Sequence, residues 1–205
     1  MAEKFEIIPA SESDTERFRA FLKEHFNKGE PLNIAAGTPS IGDTEQSTFP
    51  QKILAEGLSL MAIKNSDKAI IGVCLNKCKR KGYTSQYKDD KIGRFLSYVE
   101  SSVDVFDLSG TDQAFNISML AVSEASRGTG VGKALMEHSR NLARSQGYPL
   151  LYVLCTSYFT ARIAYGMGMQ CVYTLPYAEY KDEQGNPVLL PPLPHKNTSI
   201  FVQKL

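Results

Sequence analysis

At 205 residues the chain is long enough for one well-buried core and short for two, so a single domain over 1–205 is expected. A hydrophobic fraction of 42% with 22% charged residues is that of a globular protein, and a net charge of +1 leaves no global field to attract nucleic acid or an acidic membrane surface. No apolar run is long enough to span a bilayer, and the start MAEKFEII puts charge where a signal peptide needs its apolar region. The four cysteines contain no C-x-x-C pair, and His25, His138 and His195 are scattered, so a cytoplasmic chain with reduced thiols and no metal is expected.

Phe5 to Ile8 reads as a first strand, ended by Pro9. Ser13 with Glu16 three residues later has the form of a capping box, and Phe18, Phe21, Leu22, His25 and Phe26 keep helical spacing as far as Gly29. Pro31 cannot continue that helix, which holds Glu30 at a turn. Ile34 to Ser47 lacks periodicity and reads as a loop, and Phe49 to Glu56 as a short helix. Leu58 to Ile63 and Ala69 to Leu75 form a predicted hairpin. Four of the five residues from Lys77 to Lys81 are basic, which fits a solvated loop more simply than a nucleic-acid patch. Lys91 to Val105 has the spacing of an amphipathic helix.

Phe115 to Val122 then alternates as a strand, with Phe115, Ile117, Met119 and Ala121 on one face. Three glycines follow, and a helix after them places Val131, Leu135, His138 and Leu142 on one side and ends at Gly147. Tyr148 to Cys155 is a strand apolar enough for burial on both faces, and Ser157 to Met167 a helix. Met169 to Leu175 and Thr198 to Val202 are the last strands, with a proline-stiffened loop between them.

The chemistry starts at the glycine turn. Gly128, Gly130 and Gly132 let the backbone coil so that successive N–H groups point at one place, at the positive end of a helix dipole, which suits a pyrophosphate. Two familiar nucleotide motifs fail on spacing. From Gly128 and Gly130 the third glycine of G-x-G-x-x-G falls on Lys133, and Gly132-Lys133 is followed by Ala134 where a P-loop needs Ser or Thr. Glycines serving packing alone remain the plain alternative.

What fits is Arg-x-x-Gly-x-Gly, made by Arg127, Gly130 and Gly132 and preceded by Leu120-Ala121-Val122. This segment resembles the acetyl-CoA-binding turn of the GNAT superfamily of N-acetyltransferases. The resemblance implies a single α/β domain, with a mixed, mostly antiparallel sheet of about seven strands and helices on both faces. It also implies acetyl-CoA as acetyl donor, held by Leu120, Ala121, Val122, Arg127, Gly128, Thr129, Gly130, Val131, Gly132 and Lys133. Arg162 is a weaker candidate for the phosphates or for a structural ion pair. The backbone near Leu120 to Val122 would polarise the thioester carbonyl, in a fork between Val122 and Cys155.

Shorter islands narrow the resemblance: Glu30-Pro31-Leu32-Asn33, Ile71-Gly72-Val73, Leu154-Cys155-Thr156 with Thr160-Ala161-Arg162, and Pro194-His195. Together they look like the insect arylalkylamine (dopamine) N-acetyltransferases. That likeness implies Glu30 as general base through water, Thr156 and Thr160 as relay hydroxyls where the dopamine enzyme has serines, and Pro31 and His195 at the amine pocket. Read from the residues alone, Glu30 also fits a solvated helix end, the threonines fit caps, and His195 fits a surface imidazole. The tyrosine acid of many GNAT enzymes falls on Ala164. Tyr165 lies roughly 100° further round the helix and is not assigned that role.

The expected function is acetylation of a small arylalkylamine such as dopamine, tyramine or serotonin, with Phe26, Phe49, Tyr173 and Tyr177 available as apolar walls. The rivals are a polyamine or protein-amine acceptor and a non-catalytic acyl-CoA-binding module. No nucleic-acid or membrane partner is expected, and the sequence is silent on oligomeric state.

Overall fold

The computed structural model describes residues 4–37, 49–82 and 90–205. Seven strands form one sheet: β1 Phe5–Pro9, β2 Leu60–Lys64, β3 Ile70–Arg80, β4 Gln113–Val122, β5 Leu150–Cys155, β6 Gln170–Pro176 and β7 Asn197–Lys204. They lie in the order β1-β2-β3-β4-β5-β7-β6. Every pairing is antiparallel except β4 with β5. That one parallel pair requires a crossover connection, which the helix α6 (Val131–Ser145) supplies.

The helices cover both faces. On one side α6 and α7 (Tyr158–Gly166) pack through Val131, Leu135, Met136 and Ala164 onto Phe115, Ile117 and Cys155. On the other side lie α1 (Thr15–Phe21), α2 (Pro31–Ala36), α3 (Gln51–Leu54), α4 (Lys91–Ser101) and α5 (Val105–Ser109). They bury two separate clusters, one around Phe18, Leu54, Leu75 and Met119 and the other around Leu32, Phe95, Leu150 and Tyr177. No helix among the described residues is long and apolar enough to cross a membrane.

Several local expectations change. The reciprocal cap sits at Ser11, whose N–H donates to Asp14 at 3.1 Å, and α1 continues into a π-type turn over Leu22–Phe26. The expected loop over Ile34–Ser47 instead starts inside α2; its remainder lies outside the described residues. Lys77 to Arg80 are not loop but the end of β3, paired with Asn116 to Gln113; part of the segment after Lys81 is outside the described residues. The helix expected over Lys91–Val105 is two, because Asp104 caps a fresh turn by accepting from Phe106 and Asp107. His138 is exposed and bonded to its own helix at Ala134 O; Met136, Ser139 and Ala143 complete the buried side of α6.

The change that matters most for function is in β4. Leu75 pairs with Met119 and Asn76 with Ile117, so Ser118 is an extra residue on β4 and forms a bulge. Alternation flips there. Phe115 and Ile117 face α6, but Met119 and Ala121 face the α1 side, leaving Leu120 and Val122 toward α6. The expected common face of Phe115, Ile117, Met119 and Ala121 is therefore split at Ser118.

Candidate active site

The parallel pairing of β4 with β5 runs only from Phe115↔Leu151 to Ile117↔Val153, ending where the bulge begins. Both strands continue, β4 to Val122 and β5 to Cys155, but apart from one another. The bent strand diverges and leaves a fork. A cavity of about 1540 Å³ passes through it, lined by residues of both sheet faces.

One wall is the glycine turn. Gly128 and Gly130 have φ of +78° and +93°, left-handed values that disfavour a side chain. A Cβ built on either would meet no atom within 4 Å, so open space lies over the turn. Gly132 serves packing: its Cβ would stand 3.3 Å from Ile163 of α7, so the absence of a side chain lets α6 and α7 approach closely. The 15-residue α6 begins at Val131, directing the positive end of its dipole at that open space. This cradle of N–H groups fits a pyrophosphate.

Arg127 and Lys133 line the same end. Arg127 is exposed and reaches back toward the α1–α2 junction, where a Cβ on Gly29 would be 3.0 Å from its Nη2. Lys133 has a loose surface pair with Glu137 at 3.8 Å. Thr129 does not line the cavity; its hydroxyl donates to Ser126 O at 2.7 Å and fastens the turn.

The opposite end is built around Glu30. The chain enters α2 with Glu30 as N-cap in an extended conformation, Pro31 as the first helical residue, and the Glu30 carboxylate accepting from Asn33 N–H at 2.7 Å. Glu30 is only 8% exposed and lines the cavity. Burial pushes its carboxyl above the ordinary value, opposed by hydrogen bonds from the Asn33 N–H, the Thr156 hydroxyl and the Leu32 N–H. The sequence expectation of a turn glutamate thus becomes a capped, nearly buried carboxylate. It contacts the hydroxyl of the first residue beyond β5.

Thr156 is held from behind. The buried Tyr177 donates its hydroxyl to Thr156 O at 2.7 Å, and its own ionisation is pushed up by burial and by the nearby Glu30 charge. Sequence reading offered Tyr177 as a pocket wall; its ring packs instead on Phe95, with centroids 5.4 Å apart, and only its hydroxyl bears on the site. No periodicity or motif signals that contact. Tyr173 likewise packs in the core and does not line the cavity, whereas Phe26 and Phe49 do.

Thr160, Arg162, Pro31 and His195 all line the cavity. His195 Nδ1 accepts from Tyr158 N–H at 3.1 Å at the start of α7, and burial lowers the imidazole's pKa. With Nδ1 accepting, the neutral ring carries its proton on Nε2. Arg162 is exposed and lies over the Tyr158 ring at 5.7 Å. Tyr165 is 77% exposed and outside the cavity. Cys155 lines the fork, but burial raises its thiol far above the ordinary range; Cys74, outside the cavity, is pushed up to about 12. Neither is poised as a nucleophile at neutral pH. No cluster of metal-binding side chains occurs among the described residues.

The site therefore joins an anion cradle, an unpaired strand edge and a buried carboxylate in one cavity. Residues 75–165 match the model of the acetyltransferase (GNAT) family. The whole fold superposes on arylalkylamine N-acetyltransferase 2 of Aedes aegypti with a TM-score of 0.88 at 25% identity, covering 98% of this chain and 99% of that one. Drosophila melanogaster polyamine N-acetyltransferase, which catalyses formation of N-acetylagmatine, superposes at 0.85 and 26%, covering 98% and 100%. Mosquito arylalkylamine N-acetyltransferase-like 5b superposes at 0.86 and 23% over 98% and 100%, a likeness of fold alone. With the glycine cradle and the forked strands, residues 75–165 carry the acetyltransferase segment of the GNAT family, set in a fold shared with N-acetyltransferases.

Proposed function

We propose that the chain, acting over 1–205 as one domain, transfers acetyl from acetyl-CoA to the primary amine of a small arylalkylamine of the dopamine, tyramine or serotonin type. The observation that carries this reading is the nearly buried Glu30 carboxylate, which caps α2 through Asn33 N–H and lines one cavity with Thr156 and the glycine turn.

Acetyl-CoA, the donor in this family, supplies an activated acetyl thioester. The residues that would hold it are the N–H groups of the Gly128–Gly132 turn, Arg127 and Lys133 at its phosphates, and the β4 edge from Leu120 to Val122, which no strand covers on the β5 side. Those edge N–H groups are free to donate to a carbonyl oxygen as negative charge develops on it. An amine acceptor arrives as an ammonium and has to lose a proton. Glu30, with its pKa raised by burial, is a better proton acceptor than an ordinary carboxylate, directly or through one water. Thr156 orients that carboxylate, and Thr160, which lines the same cavity, is the candidate to pass a proton toward the departing thiol. Direct attack by the amine is favoured over an acyl-cysteine route because Cys155 is held as a thiol.

Phe26, Phe49, Leu32, Ile92 and Leu96 give the acceptor side apolar surface for a ring. A polyamine acceptor is the second reading, favoured by the 26% identity to the Drosophila polyamine enzyme. The test is thiol release from acetyl-CoA against tyramine, dopamine, serotonin, agmatine, spermidine and a lysine peptide. Preferential turnover of the aromatic amines supports the proposal, and turnover confined to agmatine or spermidine replaces it with the second reading. Binding of CoA with no turnover of any amine makes the chain a non-catalytic acyl-CoA-binding module.

A further inference from the structure

Lys77 is the one lysine of the basic run from Lys77 to Lys81 that lines the cavity, and nothing in the acetyl-transfer chemistry uses it. It lies on β3 opposite Asn116 of β4, which in turn pairs with Tyr152 of β5. This row crosses the closed base of the fork. Thr156 lies four steps along the chain from Tyr152, just past the end of β5, roughly 13 Å at about 3.3 Å per residue. An extended acceptor whose amine is at Glu30 and Thr156, and whose chain follows β5 toward the base of the fork, brings its far end to the row that holds Lys77.

The neighbouring lysine is used differently. Lys79 Nζ is bonded to Glu100 at 2.8 Å and lies 4.9 Å from the Tyr152 ring centroid, so its charge is matched locally. Lys77 makes no hydrogen bond or ion pair with any described residue. Burial lowers the Lys77 pKa, a shift that the charges of Glu100 and Glu56 oppose. Both carboxylates are already engaged, Glu100 with Lys79 at 2.8 Å and Glu56 in accepting from Cys78 N–H at 2.7 Å. The rest of the acceptor rim adds positive charge through Lys91 of α4. The only carboxylates among the described lining residues are Glu30 and Asp90, and Asp90 accepts from Gly93 N–H at 2.8 Å as the cap of α4.

We infer that Lys77 is a charge filter at the far end of the acceptor chamber, selecting monoamines whose remote end is neutral or anionic and rejecting diamines, guanidino-amines and polyamines. The inference rests on the acetyltransferase reading and deepens it. A second cation placed in the chamber meets the Lys77 ammonium, whose neighbouring carboxylates among the described residues, Glu100 and Glu56, are already bonded elsewhere, and such like-charge juxtaposition is an established source of discrimination. A phenol or indole at the same place leaves the Lys77 ammonium undisturbed and free to donate a hydrogen bond.

The experiment compares kcat/KM for tyramine and agmatine in the wild type, Lys77→Met and Lys77→Glu, with melting temperature and acetyl-CoA KM as controls for folding and for the cofactor end. The two amines differ in having a neutral or a cationic remote end. The agmatine-to-tyramine ratio is expected to rise about tenfold or more in Lys77→Glu, with Lys77→Met between, and to rise with salt in the wild type because screening weakens the repulsion. If Lys77→Glu fails to fold, Lys77→Met and the salt series carry the test. Wild-type turnover of tyramine with a ratio that neither variant moves overturns the filter and leaves the acetyltransferase reading standing. Wild-type preference for agmatine overturns the filter and the arylalkylamine acceptor, and leaves acetyl transfer standing. No turnover of either amine removes the acceptor, and the filter with it.

Discussion

The two ends of the cavity are built on different principles. The proposed cofactor end is mostly backbone: two left-handed glycines, the first turn of α6 and an unpaired strand edge, with exposed Arg127 and Lys133 beside them. The proposed acceptor end is made of side chains brought from far apart in sequence, with Glu30 from the α1–α2 junction, Lys77 from β3, Ile92 and Leu96 from α4 and Thr156 from beyond β5. Backbone amides bind phosphates of any cofactor of this shape, whereas a set of side chains can be exchanged without disturbing the turn. This division accounts for one fold superposing on both an arylalkylamine and a polyamine acetyltransferase.

If the division holds, the sharpest break comes from Glu30→Gln. The amide keeps an oxygen for the Asn33 N–H, so α2 remains capped while the proton acceptor is lost. The expected result is a fall in kcat of about 10²–10⁴ with acetyl-CoA affinity retained, read from steady-state turnover and calorimetric titration. Wild-type kcat/KM should rise with pH through an apparent ionisation above that of an ordinary glutamate, and the variant should lose that limb. Stability has its own sign. Because the folded pKa is raised from 4.5, the folded state holds a proton that the unfolded state has lost, so stability falls as pH rises through this window. Glu30→Gln removes that cost and should melt no lower than wild type at neutral pH. A lower melting point there would mean the carboxylate is part of the fold's support.

Gly72→Ala probes the frame that holds the two ends together. Gly72 pairs with Val122, and a Cβ there would stand 2.8 Å from Val131 and 3.0 Å from Leu135, at the first turns of α6. Overpacking should cost about 1–3 kcal/mol, several degrees of Tm in a chain of this size. It should also raise the KM for acetyl-CoA more than that for the amine, since Val131 carries the N-terminal turn. Equal effects on both would show that the ends are mechanically coupled.

Arg127→Ala is a smaller probe of the cofactor end alone. Losing one exposed charge-assisted contact to a phosphate should raise acetyl-CoA KM by about tenfold, with kcat nearly unchanged. A fall in kcat would point instead to the approach of Arg127 to Gly29, next to Glu30, the proposed proton acceptor.

The same division explains what could be read from the chain. The cofactor end is local: Arg127, Gly130 and Gly132 lie within six residues, so spacing alone excluded other nucleotide folds and placed the turn between a strand and a helix. The acceptor end depends on a packing event that leaves no mark in composition. Ser118 looks like any strand residue. Its bulge is set by pairing with β3, and it both splits the expected face of β4 and opens the fork. Lys77 to Arg80 read as loop because lysine is a poor strand former, and tertiary pairing overrides that preference. Glu30 was found through its sequence neighbours, but its burial comes from long-range packing.

Tyr177 gives the finest test, since it connects the acceptor site to the core behind it. Tyr177→Phe keeps the ring against Phe95 and removes only the hydroxyl that donates to Thr156 O. The loss should cost about 1 kcal/mol of stability, the net worth of one hydrogen bond, more if the carbonyl is left dry. Thr156 would then be free to turn away from Glu30. Its hydroxyl lowers the Glu30 pKa, so the acid limb of the pH profile should move to higher pH, with acetyl-CoA KM unmoved. A shift in that limb assigns Tyr177 to positioning the carboxylate through Thr156. Destabilisation without a shift would confine it to the core, and the acceptor end would then begin at Thr156.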